Sequence, residues 1–85
     1  MPSTTVVVGS SVGLHARPAA VIAATAAAAG VPVTLSLVGG GPVNAASALM
    51  IMTLGATQGT EVVVTSDDQA ALDKIAELVG SDLDA

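Results

Sequence analysis

TTVVVGSSVGLHARPAAVIAATAAAAGVPVTLSL, residues 4–37, changes its period twice. Residues 4–8 are a β-branched run closed by Gly9-Ser10-Ser11, which reads as a strand. Residues 16–29 are mostly alanine, the best helix former. Gly30 supplies the stop just past that helix. In residues 33–37 apolar and polar side chains alternate, as in a strand with one wet face, to which Thr34 and Ser36 belong. Strand, helix and strand in so short a space make one half of βαβ type.

Working outward, Gly39-Gly40-Gly41-Pro42 turns the chain into a short return strand near Val43. Residues 48–54 read as a brief apolar helix that Gly55 ends, and residues 61–65 are another β-branched run. Ser66 with Gln69 three residues on is a capping-box pattern. It opens a last helix with Leu72, Ile75, Ala76 and Val79 on one face. The order is β-α-β-β-α-β-α, without repeat or linker. The expected fold is an α+β open-faced sandwich, with three helices on one face of a four-stranded, mostly antiparallel sheet. Residues 1–85 are expected to form a single domain.

The core must be built from small aliphatic pieces. Hydrophobic residues make up 52% of the chain, mostly Ala and Val, and there is no Phe, Trp or Tyr. The missing aromatics remove a base-stacking platform. The net charge of −5, with Arg17 and Lys74 as the only basic residues, argues against a nucleic-acid partner. The chain has no Cys, which excludes disulfides and thiolate catalysis, and a single His, so no metal or cofactor is expected. Residues 18–60 carry no charged side chain, so residues 1–60 hold +1 and residues 61–85 hold −6. The uncharged stretch over residues 18–38 matches the length of about 20 residues that a membrane span needs. Its Ala, Thr, Gly and Ser insert weakly, and Gly30-Val31-Pro32 breaks it. No basic leader precedes Val6-Val7-Val8, and the expectation is a cytoplasmic chain without membrane insertion.

The segment that carries chemistry is Gly13-Leu14-His15-Ala16-Arg17-Pro18, between a strand and a helix. His15 falls at the N-cap position, and Pro18 lies in the first turn, where a missing N–H costs nothing. A helix start offers unpaired N–H groups and the positive end of the dipole, a ready anion site. Arg17 adds a forked cation suited to phosphate. A neutral imidazole there can attack a phosphoryl group, and phosphoryl transfer asks little beyond positioning and charge stabilisation. Two other readings fit the same spacing. One is a solvated cap with a surface arginine. The other is a Ser/His/Asp hydrolase using Ser11 or Ser47, although the chain shows no nucleophile elbow.

Gly13-Leu14-His15-Ala16-Arg17-Pro18-Ala19-Ala20 closely resembles the active-centre signature of the HPr family, the histidine-containing phosphocarriers of the bacterial sugar phosphotransferase system. A second block, Val43-Asn44-Ala45-Ala46-Ser47 with Leu49-Met50-Ile51-Met52-Thr53-Leu54-Gly55-Ala56, resembles that family's regulatory-serine segment. The resemblance implies a carrier rather than an enzyme. Enzyme I, charged from phosphoenolpyruvate, would phosphorylate His15 at Nδ1, and the group would pass to a sugar-specific IIA domain for sugar uptake. Arg17 would clamp it, and the backbone around Ala16 and Pro18 would shape the pocket. The alternative on the same centre is a regulatory paralogue, charged by a different enzyme I and used for signalling. A plain interaction module is a third class.

Ser47 matches the serine that an ATP-dependent kinase modifies in many family members. From the residues alone it is the N-cap of the short helix, and the two roles are compatible. This chain departs from the family in charge. Typical members carry several Lys or Arg around the active centre, where this chain has Ala23, Ala24, Ala27 and Ala28. Partner docking is therefore expected to be apolar, through Ala20, Ala23, Ala24, Leu49 and Met50. At helical spacing Leu49, Met50 and Met52 read as part core, with at least one expected to face a partner.

Overall fold

The computed structural model describes residues 2–11 and 13–81. Along the chain run β1 (Ser3–Val7), α1 (Ala16–Ala29), β2 (Thr34–Leu37), β3 (Val43–Asn44), α2 (Ala48–Thr53), β4 (Glu61–Thr65) and α3 (Gln69–Gly80). This is the expected order. The strands form one sheet in the order β1-β4-β2-β3, and every neighbouring pair is antiparallel. The first and second strands of the βαβ half are thus parallel but not adjacent, because β4 inserts between them.

Register decides which side of each strand is buried. Thr4 and Leu35 both pair with Val64, and Val6 and Leu37 both pair with Val62. Val62, Val64 and Leu35 are fully buried beneath the helices. The alternate row, Ser3, Thr5, Thr34, Ser36, Val63 and Thr65, lies on the other face. Thr34 and Ser36 therefore occupy the uncovered face, as the alternation in β2 implied. The three helices cover the opposite face, and the core joins them through Ile22, Ile51, Leu72, Ile75 and Val79. With no aromatic to fill gaps, close approach comes from alanine: Ala19, Ala23 and Ala26 of α1 all point inward.

Apart from the start of α3, boundaries follow local signals to within a residue. Helix α1 spans the expected residues and ends at Gly30, whose left-handed backbone (φ 71°) lets its N–H reach the Ala27 carbonyl at 3.3 Å. Val8, expected in the first strand, lies one residue beyond β1. It still exchanges hydrogen bonds with the chain before β4, through Thr60 O at 2.9 Å and Gly59 N at 3.0 Å.

The capping box at Ser66 is not formed. Asp68 is the N-cap of α3, its Oδ1 accepting from Ala71 N–H at 3.0 Å. Ser66 is fully buried, donating from Oγ to the Pro32 carbonyl at 2.8 Å and accepting from Asp68 N–H at 3.2 Å. Its hydroxyl ties the β4–α3 turn to the α1–β2 turn, which shifts the helix start by two residues. Gln69 instead donates within α3 to Asp73 at 2.8 Å. Asp82 and Asp84 lie outside the described residues.

Candidate functional site

After β1 the chain folds into a short loop held from two sides. Gly9 N–H donates to Val79 O at the end of α3 (3.1 Å), and Gly13 N–H closes a turn on Ser10 O (3.0 Å). Leu14 is 4% exposed, and its N–H donates to the Ala56 carbonyl beyond α2 at 3.0 Å. These anchors deliver His15 to the start of α1. Its backbone is extended (φ −80°, ψ −169°), its carbonyl accepts the first helical bond from Ala19 N–H at 2.9 Å, and its side chain makes no cap bond.

The imidazole is therefore exposed, and it has no hydrogen bond to another described residue. Pro18, buried in the third helical position, contributes no N–H. The amides of His15, Ala16 and Arg17 remain, and none has an acceptor among the described residues. Ala16 and Arg17 are exposed, and the first turn of α1 contains no acidic residue to neutralise the positive end of the helix. The acidic pair Asp67 and Asp68 sits at the other end of α1, beside Pro32. That is a helix of 14 residues away, about 20 Å and beyond a Debye length of about 8 Å at physiological salt.

Helix α2 runs back toward this loop, and Ala56 beyond it holds Leu14. Ser47 caps the other end of α2, its Oγ accepting from Met50 N–H at 3.3 Å. Asn44 tightens the approach, its Oδ1 accepting from Ala46 N–H at 2.9 Å. On α1 Ala20 and Ala24 are exposed, and on α2 so are Leu49 (69%) and Met50 (41%). Ala23 does not belong to that surface. It is 8% exposed and packs into the core, because the turn that buries Ile22 carries Ala23 inward with it. Met52 at 37% and Val21 at 39% join the exposed set instead. For Met52 the signal was present in the sequence, three residues after Leu49 on the same helical face.

His15 lines neither of two surface grooves. One, of about 490 Å³, lies at the far end of α1 among Ala26, Gly30, Pro32, Pro42, Asn44 and Ala46. The other, of about 370 Å³, lies between α1 and α3 beside Lys74. Among the described residues no three His, Cys, Asp or Glu side chains gather as metal ligands.

An open-faced sandwich that presents one exposed histidine at a helix start defines a narrow class of small proteins. A family model described as the PTS HPr component phosphorylation site matches residues 2–81. The phosphocarrier protein HPr of Streptomyces coelicolor is 49% identical over 80 residues, covering 91% of this chain and 86% of that protein. The crystal structure of HPr from Bacillus anthracis is similar with a TM-score of 0.84 at 30% identity, over 92% of this chain and 95% of the other. That of HPr-C-His from Thermoanaerobacter tengcongensis is similar with a TM-score of 0.77 at 30% identity, over 94% and 96%. The chain belongs to the HPr family, the phosphocarriers of the phosphotransferase system.

Proposed function

We propose that His15 accepts a phosphoryl group from enzyme I and passes it to a IIA domain that serves sugar uptake. The observation that carries this reading is the exposed imidazole at the open start of α1, with three amides that have no acceptor among the described residues and Arg17 nearby in the chain. The lone pair of the ring nitrogen, Nδ1 in this family, forms the new N–P bond as the bond to the donor breaks. The amides of Ala16 and Arg17, the helix dipole and the Arg17 guanidinium take up the negative charge of the transferred oxygens. Pro18 holds the first turn rigid against the core, so the amides need no reorganisation. A site outside the grooves suits a substrate protein, because each partner brings its own catalytic cleft to the exposed ring. The chain acts as one domain in the cytoplasm, as the phosphocarrier reading implies. No helix among the described residues is long and apolar enough to cross a membrane.

The test is incubation with phosphoenolpyruvate and enzyme I, read by intact mass, followed by transfer to a purified sugar IIA domain. One added phosphoryl group that then leaves for the IIA domain supports the reading. An unchanged mass would remove it.

Arg17→Ala is expected to slow transfer by about 10²-fold, the cost of losing one charge-assisted donor in a transition state. Arg17 is exposed and outside the core, so the melting curve should not move. Unchanged rates with unchanged melting would take Arg17 out of the mechanism.

Docking is assigned to Ala20, Ala24, Leu49, Met50 and Met52, a surface without charged side chains. Apolar burial contributes roughly 25 cal/mol per Å² and responds little to moderate salt. Raising salt from about 50 to 500 mM shrinks the Debye length from about 14 to 4 Å, which suppresses electrostatic steering. The second-order transfer rate from the cognate enzyme I should fall less than about tenfold over that range, since steering accounts for factors of about 10 to 1,000. A hundredfold loss in a rapid-quench salt series would show that charge still guides the encounter.

Ser47 remains a regulatory candidate for a serine kinase. A phosphate on its Oγ would sit at the start of α2 and place about two negative charges beside the apolar docking face.

A further inference from the structure

The oxidisable side chains of this chain are few and concentrated. It contains no Cys, Trp or Tyr, and two of its three methionines are Met50 and Met52; Met1 lies outside the described residues. Both sit on α2, at 41% and 37% exposure, the short helix that packs against α1, whose start carries His15. Ile51 between them is fully buried. The Ser47 cap holds the backbone N–H of Met50 and does not involve its sulfur. A change at the two thioethers therefore alters the outer surface of α2 while its inner contacts stand.

We propose that Met50 and Met52 are sulfoxidation sites, through which a peroxide controls docking at the phosphoryl centre. The proposal rests on the phosphocarrier reading. In the step, the thioether sulfur attacks one peroxide oxygen, the O–O bond breaks and an S–O bond forms. The departing hydroxide takes a proton and leaves as water. The sulfur is oxidised by two electrons and the peroxide reduced by two. The product is a polar, chiral side chain in place of a flexible apolar one, and methionine sulfoxide reductases reverse it. The S–O dipole is solvated on the free protein. Docking on a surface without charged side chains strips that water away and offers nothing in return, so the oxidised carrier binds its partner more weakly.

The experiment treats the whole chain with hydrogen peroxide in metal-free, chelator-containing buffer. Peptide mass mapping locates the oxygens, far-UV circular dichroism follows folding, and the acceptance rate from enzyme I is measured. A Met50→Leu, Met52→Leu double variant, which keeps Met1, is treated in parallel. The expected result is one oxygen on each of Met50 and Met52, an unchanged helical signal, and a second-order acceptance rate lower by about tenfold. Methionine sulfoxide reductases A and B with a thiol reductant should restore the rate, and the leucine variant should keep its rate through the treatment. Oxidised protein that accepts the group at the untreated rate would overturn the proposal. So would loss of the helical signal on oxidation, or an equal slowing of the leucine variant. Untreated protein that accepts no phosphoryl group would defeat the carrier reading itself, before any oxidant is added.

Discussion

His15→Ala is expected to take up no phosphoryl group from phosphoenolpyruvate and enzyme I, so that its intact mass stays that of the unmodified chain. The expectation is total loss because the chain offers no second imidazole or thiolate to accept the group. The chain has a single histidine and no cysteine, and the Ser47 hydroxyl is engaged as a helix cap. The His15 ring makes no cap bond and lies outside the core, so its removal should leave the melting temperature nearly unchanged. In the unsubstituted protein the adduct should be lost in acid and survive alkali, as a phosphoramidate does. A His15→Ala protein that still gains the phosphoryl mass would place the acceptor elsewhere.

Gly13→Ala is expected to damage both stability and transfer. Gly13 has φ 74°, and a Cβ there would stand 2.5 Å from Ala56 O and 2.9 Å from Thr57 Cα. The backbone conformation alone costs an alanine about 1–2 kcal/mol. Relieving the clash means moving backbone, which pulls Leu14 N–H off the Ala56 carbonyl and forfeits about 1 kcal/mol more. A total of about 3 kcal/mol corresponds to a fall in Tm of about 15 °C for a domain of this size. At temperatures where the variant is still folded, acceptance should slow by about 10²-fold, because His15 follows the displaced anchor. Gly30→Ala is the control: Gly30 has nearly the same φ, 71°, but nothing within 4 Å of its Cβ position. It should lose only the conformational part and transfer normally. Equal melting curves for the two variants, read by far-UV circular dichroism, would show that the approach to Ala56 does not matter.

Sequence by itself determined the elements whose signals are local. Residues 16–29 are helical because alanine favours helix and Gly30 ends it, and residues 61–65 are a strand because β-branched residues run together. His15 at a helix start followed from the same local rules, with Arg17 and Pro18 as its neighbours. Tertiary structure decided what depends on contacts distant in the chain. It placed β4 between β1 and β2, turned Ser66 from an expected cap into a buried tie to Pro32, and brought Gly13 up against Ala56. It also chose the faces of α1. A helix of near-uniform alanine has almost no apolar asymmetry, so nothing along the chain distinguishes Ala23 from Ala20 and Ala24. Only packing against the sheet and the other helices sent Ala23 inward and left Ala20 and Ala24 exposed.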